Sequence, residues 1–267
     1  MPELPEVETI KETLQDIVGL KIEDIKLFKP EYIRCWQNQP DAYVGRRFAA
    51  VSRRGKFLIF DFEEGLHMVA HLGMSGRIYL ESRGAELEKH VHVVFSFSNG
   101  QELWFQDARR FGGLWLIKEP REMFTAMGVE PLSSRFSSSY LTPLLKNRRV
   151  AIKTLLLNQR LISGIGNIYA DEALFKARIL PNRAAGSLQP KEIHRLVRAV
   201  KQVLRAGIEQ RGTTLRDFQD GYKQKGQFQD YLKVYGREKE PCFDCRQPIL
   251  RQVINGRSSH FCPCCQK

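Results

Sequence analysis

Two Cys-x-x-Cys pairs near the end of the chain, Cys242/Cys245 and Cys262/Cys265, stand 16 residues apart. Each pair sets two thiolates on a tight turn, and four soft ligands complete a tetrahedron around Zn2+. A closed four-thiolate site leaves no position for a substrate, so this spacing predicts one structural zinc and a small hairpin built around it. Five of the six cysteines lie in the last 26 positions. In a cytosolic chain that crowding favours metal over disulfides. Cys264 makes the second knuckle Cys-Pro-Cys-Cys and so competes with Cys265 for the fourth position, although the spacing favours Cys262 and Cys265. Cys35 stands alone and is expected to be a small buried hydrophobe.

The 267 residues suffice for one large domain or two modest ones. There is no apolar run of about 18 residues, the minimum for a membrane span. The opening MPELPEVETI is acidic and has no apolar stretch of signal-peptide length. The expected location is the cytosol. The net charge of +12 is unevenly distributed: residues 1–140 hold 18 basic and 20 acidic side chains, residues 141–267 hold 24 and 10. One-sided charge of this kind points to a polyanion gripped mostly by the C-terminal half.

Residues 3–18 predict an amphipathic helix, with Leu4, Val7, Ile10, Leu14 and Ile17 at helical spacing and Gly19 as a stop. Short runs rich in branched and aromatic residues follow, near 22–28, 57–62, 67–72, 77–80, 91–97, 102–105 and 114–117. Many strands at close spacing without intervening helices predict an antiparallel sandwich. From about residue 121 the pattern turns helical, with candidates at 121–127, 138–147, 151–157, 167–177 and 190–211, the last with Ser187 as a possible cap. The polar segment 219–230 is expected to be a mobile loop. The expectation is an α+β chain. Residues 1–130 would form an N-terminal catalytic β-sandwich domain, 131–230 a helical DNA-binding domain and 231–267 the zinc finger.

Pro2 is a small residue behind Met1, so the initiator methionine is a candidate for removal, which would expose a secondary amine. An α-amino group titrates near 8, and partial burial lowers that value. A useful fraction would therefore be uncharged and nucleophilic at neutral pH. Attack on a sugar C1′ by a secondary amine gives an iminium ion directly, a fixed electron sink that promotes loss of the 3′ phosphate. Glu3 beside it could serve as a general acid. Taken alone, Glu3, Glu6 and Glu8 could equally be complements to a helix dipole.

MPELPEVET at the start, HLGMSG at 71–76, RRFG at 109–112 preceded by Asp107-Ala108, GIGNIYADE at 164–172, GTTLRDF at 212–218, VYGR at 234–237 and the terminal knuckles occur in this order along essentially the whole chain. Together they resemble the bacterial formamidopyrimidine-DNA glycosylases. The resemblance implies an N-terminal helix plus antiparallel β-sandwich, a helix–two-turn–helix module and a zinc hairpin. It implies that Pro2 forms a Schiff base, that Glu3 donates a proton to the departing base, and that Lys56 assists at the lesion sugar and its phosphate. Met74, Arg109 and Phe111 would fill the gap left by an everted base, with Arg109 facing the orphaned cytosine. By composition alone Met74 and Phe111 are core residues, and Ala108 stands where the family often has Pro.

GIGN resembles the module's turn, where the helix beginning at Asn167 offers its positive end to a phosphate. Arg148, Arg149 and Lys153 just upstream suit phosphate contacts. The resemblance also brings His71 and His90 near the DNA, and it implies that Arg257, between the knuckles, assists a second elimination. The implied activity is excision of 8-oxoguanine or formamidopyrimidines from damaged duplex DNA, followed by β- and δ-elimination, carried out by a monomer without a catalytic metal. Two other readings stand beside it. One is an endonuclease VIII-like enzyme for oxidised pyrimidines, against which Leu4 argues. The other is a non-catalytic zinc-containing DNA-binding protein.

Overall fold

A computed structural model describes residues 1–267. Contacts group the chain into two units: Met1–Thr125 with Gln210–Gln227, and Ala126–Glu209 with Phe228–Lys267. The expected boundary at residue 230 thus runs differently, because Gln210–Gln227 packs with the N-terminal unit.

In the first unit α1 (Leu4–Thr13) buries Leu4, Val7 and Ile10 completely. The predicted 3–18 helix is shorter as an α-helix. It tightens into a 3-10 turn over Leu14–Ile17, which keeps Leu14 and Ile17 in the same core. Strands β1 (Ile22–Leu27), β6 (Gly76–Ser82), β7 (Val91–Phe97) and β8 (Gln101–Asp107) form an antiparallel sheet in the order β1-β7-β8-β6. Strands β2 (Ile33–Trp36), β3 (Phe48–Arg54), β4 (Phe57–Phe62), β5 (His67–His71) and β9 (Gly113–Ile117) form the second sheet, in the order β2-β9-β5-β4-β3. One cluster holds Val7 and Ile10 of α1, Phe48, Leu58 and Phe60 of one sheet, and Val93, Phe95 and Phe105 of the other. The sandwich is therefore a single core. The expectation of purely antiparallel pairing fails at one pair, since β2 and β9 run parallel. Cys35 lies on β2 and is only half-buried, not the buried hydrophobe expected.

The 219–230 segment is not the loose loop its composition suggested. The Asp220 side chain accepts hydrogen bonds from the Tyr222 and Gln224 amides at 2.9 Å each and pairs with Arg211. Gly221 receives its own anchors, donating to Thr13 Oγ1 (3.0 Å) and accepting from the Leu80 amide (2.8 Å). Lys223 pairs with Glu81 and Glu88 and lies 4.5 Å above the Tyr79 ring.

The second unit is helical: α2 (Pro120–Met123) precedes it, and α3 (Ser138–Leu145), α4 (Ile152–Leu156), α5 (Asn167–Ala177) and α6 (Pro190–Glu209) compose it. The 20-residue α6 buries Ile193, Leu196, Val197, Val200, Val203 and Leu204, a stripe at three- and four-residue spacing. Ser187 does not cap it. Its hydroxyl donates to Ala184 O within a 3-10 turn, while Glu192 accepts the Gln189 amide at the helix start (2.8 Å). The chain ends in the hairpin β10 (Leu250–Ile254) and β11 (Arg257–Phe261), joined by Asn255 and Gly256. Both linking residues have positive φ, the geometry of a type I′ turn, and Arg257 is the first residue beyond it.

Candidate active site and zinc centre

The N-terminus of α1 is fixed by a capping box between Glu3 and Glu6, in which the Glu6 carboxylate accepts the Glu3 amide at 2.8 Å. The same carboxylate accepts the Thr213 amide at 2.7 Å. Glu6 therefore ties the chain's tip to the GTTLRDF segment. Pro2 and Glu3 are buried, and Met1 is exposed. Burial lowers the Met1 amine below the ordinary α-amino value. Glu3 and Glu6 oppose that shift, while the charges of Lys56 and Arg109 reinforce it. The surroundings of the terminus thus favour an uncharged nitrogen. Lys56 sits at the β3–β4 turn and is 6% exposed, so the solvated-edge lysine that composition alone would suggest is ruled out.

His71 ends β5, where the Phe57 ring lies 4.6 Å from it. The Gly73 amide donates to His71 Nδ1 at 3.1 Å, so the neutral ring carries its proton on Nε2 and presents a donor. Burial, reinforced by the Lys56 charge and opposed by Asp107, lowers its pKa to about 4. We expect NMR titration of the imidazole to show a midpoint near 4. The neutral ring costs the native state stability only where the unfolded histidine would be charged, so this contribution to stability falls as pH drops from about 6.5 towards 4. A midpoint above 6.5 would contradict the assigned tautomer and burial.

Two loops carry the expected wedge residues. Met74 is 41% and Phe111 63% exposed, so neither is the core residue that composition suggested. Leaving such side chains in water forgoes roughly 1.5–3 kcal/mol each of burial. Asp107, fully buried, holds the loops together. Its carboxylate accepts Ser75 Oγ (2.6 Å) and the Gly112 amide (2.8 Å), and its carbonyl meets His92 Nε2 at 2.7 Å. The Arg109 amide adds a contact to Ser75 Oγ at 3.2 Å. Gly73 sits at φ +57 against the Phe111–Gly112 backbone, where a Cβ would come within 2.5 Å of the Gly112 nitrogen. His90, also at positive φ, is exposed and lines a cavity of about 450 Å³ with Ser75, Arg77, Arg109 and Arg216. Asp107 and Glu6 are the organising residues that motif reading passed over. Each has a near partner, Gly112 and Glu3 respectively, but the contacts that join separate segments, to Ser75 and Thr213, lie 32 and 207 residues away and leave no local signal.

In the second unit the GIGN turn is braced by Gln159, which accepts the Gly164 amide and donates to Ile165 O, each at 2.8 Å. No side chain caps α5, and Asn167 is its first residue. Arg148 is exposed and lines a cavity of about 510 Å³ with Val150, Thr154, Asn158, Ile254 and Asn255. Arg257 is exposed beside it, on a smaller cavity sharing Thr154, Asn158 and Asn255. Lys153 departs from expectation. Its side chain is 1% exposed, pairs with Asp171 at 2.7 Å and donates to Ser258 O at 2.6 Å. An ammonium so enclosed is a structural cation and does not face a phosphate.

The ligand atoms of Cys242, Cys245, Cys262 and Cys265 lie within 4.8 Å of one another. A tetrahedral zinc with Zn–S near 2.3 Å needs sulfur–sulfur edges of about 3.8 Å. The Cys242–Cys265 and Cys245–Cys262 pairs stand at 3.9 and 3.3 Å, so the set fits the ion. Cys264 is exposed and outside the cluster, which settles the competition with Cys265. These four cysteines hold one structural Zn2+.

The sequence matches the formamidopyrimidine-DNA glycosylase N-terminal domain over residues 1–114 and the H2TH domain of the same glycosylases over 127–219. A zinc finger found in FPG and IleRS matches over 239–267. The chain belongs to the formamidopyrimidine-DNA glycosylase family. The formamidopyrimidine-DNA glycosylase of Syntrophomonas wolfei is 51% identical over the full length of both chains. Among solved structures, the fold matches a Lactococcus lactis FPG variant in complex with Fapy-dG-containing DNA, with a TM-score of 0.94, 34% identity and all of each chain covered. It also matches the Thermus thermophilus MutM (FPG) protein, with a TM-score of 0.89 and 40% identity over 99% of this chain and 98% of the other. No helix is long and apolar enough to cross a membrane.

Proposed function

We propose that this chain is a bifunctional glycosylase and abasic-site lyase that removes oxidised purines from duplex DNA, with the Pro2 nitrogen as nucleophile. Removal of Met1 frees that nitrogen. Its attack on C1′ breaks the bond to the damaged base, and its lone pair then breaks C1′–O4′, opening the sugar. The proton shed by the nitrogen and the one carried by Glu3 go to the departing base and the ring oxygen. The resulting iminium makes the C2′ proton acidic. Loss of that proton expels the 3′ phosphate, and a second elimination expels the 5′ phosphate. Desolvation lowers the pKa of the terminal amine, the Lys56 charge adds to that shift, and the buried Lys56 places a cation where phosphate arrives. The zinc takes no part in these steps and holds the hairpin that carries Arg257.

Reaching C1′ requires the nucleotide to leave the stack, which costs a few kcal/mol. The exposed Met74 and Phe111, fixed through Asp107, offset that cost by entering the vacated space, and Arg109 on the same loop offers donors to the unpaired base opposite. His71, neutral with its proton on Nε2, and His90 add donors towards the backbone, as do Arg148 and the α5 terminus at Asn167. The protein works as a monomer in the bacterial cytosol, on damaged double-stranded DNA.

The observation carrying this reading is the burial of Pro2 and Glu3 at a chain terminus whose amine pKa is lowered by desolvation. It is tested by excision from duplexes carrying 8-oxoguanine, a formamidopyrimidine or an oxidised pyrimidine, each opposite all four bases. The purine lesions opposite cytosine are expected to be removed fastest. Faster removal of the oxidised pyrimidine would favour the endonuclease VIII-like alternative.

A further inference from the structure

The buried charges of the second unit serve a purpose that the phosphate contacts leave unused. Asp171 and Glu172 are neighbours on α5, and both reach into the C-terminal module. Glu172 accepts the backbone amides of Lys233, Val234 and Tyr235, each at 2.9 Å, and so holds the start of the VYGR segment. Asp171 accepts the His260 amide at 2.8 Å and the Lys153 ammonium at 2.7 Å. Lys153 completes the connection by donating to Ser258 O at 2.6 Å. Two successive anchors therefore fall on β11, at Ser258 and His260, directly after Arg257. Both charges are essentially solvent-free, at 1% and 0% exposure. A hairpin held only by its zinc would still be free to pivot about the knuckles. One anchored from α4 and α5 points its first residue in a fixed direction relative to the α5 terminus.

We propose that Asp171, through its pair with Lys153, is a positioning residue for Arg257 in the second elimination. This rests on the role given to Arg257 above. Groups that orient a metal ligand from behind typically cost roughly 10–100-fold when removed, and the lower end of that range is taken for a group that orients an arginine. The Asp171→Asn change keeps the shape and loses the charge that fixes Lys153.

The test uses the full-length, zinc-loaded enzyme on abasic-site DNA and reads the ratio of 3′-phosphate ends to 3′-unsaturated aldehyde ends. Asp171→Asn is expected to lower that ratio about tenfold with zinc content and borohydride trapping unchanged. Combined with Arg257→Ala, it should lower the ratio no further than Arg257→Ala alone, since both act through one group. A purely structural defect would instead reduce trapping and release zinc. Should Asp171→Asn fold poorly, the apolar pair Lys153→Met with Asp171→Leu removes the same anchors without an unpaired buried charge. Effects of Asp171→Asn and Arg257→Ala that multiply would overturn the positioning role, as would an unchanged ratio in the Asp171 variants. An unchanged ratio in Arg257→Ala itself would sink the role of Arg257 and the inference with it.

Discussion

Replacing Pro2 with glycine is expected to lower borohydride trapping on 8-oxoguanine or abasic DNA at least ~100-fold, a barrier increase of about 2.7 kcal/mol. The loss has two sources. A glycine amine is primary, so its adduct must be protonated at the imine before it can draw electrons from C2′, whereas the proline adduct is a cation from the start. The proline ring, two residues ahead of α1, also locks rotation about its own N–Cα bond and so sets the direction in which the nitrogen points. The capping box below residue 2 does not depend on Pro2, so α1 and the thermal stability of the fold should change little. Mass spectrometry of the same samples decides a second point. Protein that retains Met1 has an acyl group on the proline nitrogen and cannot attack. Trapping at the native level by a Met1-retaining fraction would remove Pro2 from the mechanism altogether.

The second large effect concerns the zinc. Cys262→Ser, or extraction of the ion by a strong chelator, is expected to abolish hydrogen-exchange protection in β10 and β11 while the β-sandwich keeps its own. Besides the ligand cysteines, the core beside the finger holds only Phe175, Val234 and Ile249. So small a cluster cannot stabilise an independent module, whereas a structural zinc supplies about 10–16 kcal/mol in finger peptides at neutral pH. DNA affinity should fall with the loss of the hairpin, because Arg257 and the basic C-terminal surface lose their fixed geometry. Elemental analysis of the unmodified protein should find one zinc per chain, and none in Cys262→Ser. Retained protection in metal-free protein would show that packing, and not the ion, forms the finger.

Much of the architecture can be read directly from residue order. The seven strand-like runs correspond to β1 and β4 through β9, and the predicted 167–177 helix is α5 to the residue. Patterns with a strong local period or turn signal were legible for that reason. The two remaining sandwich strands were not. β2 has four half-exposed or alternating positions between Pro30 and Pro40, and it pairs in parallel with a strand about 80 residues later. β3 has no clean alternation: after Phe48 and Val51 it ends in two arginines. Strands whose hydrogen-bonding partners lie far along the chain and whose faces are half wet leave no short-range pattern.

The chemistry of this protein was set locally. Four soft ligands at zinc spacing, a proline behind a removable methionine and a glutamate at a helix start are properties of adjacent residues, and sequence alone determines them. Burial and long-range partners are decided only when the chain closes on itself. Lys153 looked like a phosphate ligand and became an enclosed ion-pair partner of Asp171, while Met74 and Phe111 looked like core and emerged on the surface. Lys56, a lone lysine in the RRGKFL segment, was drawn inside beside the N-terminus. The cost or gain of placing a charge or a ring depends on which distant groups surround it, and only the tertiary structure supplies those neighbours.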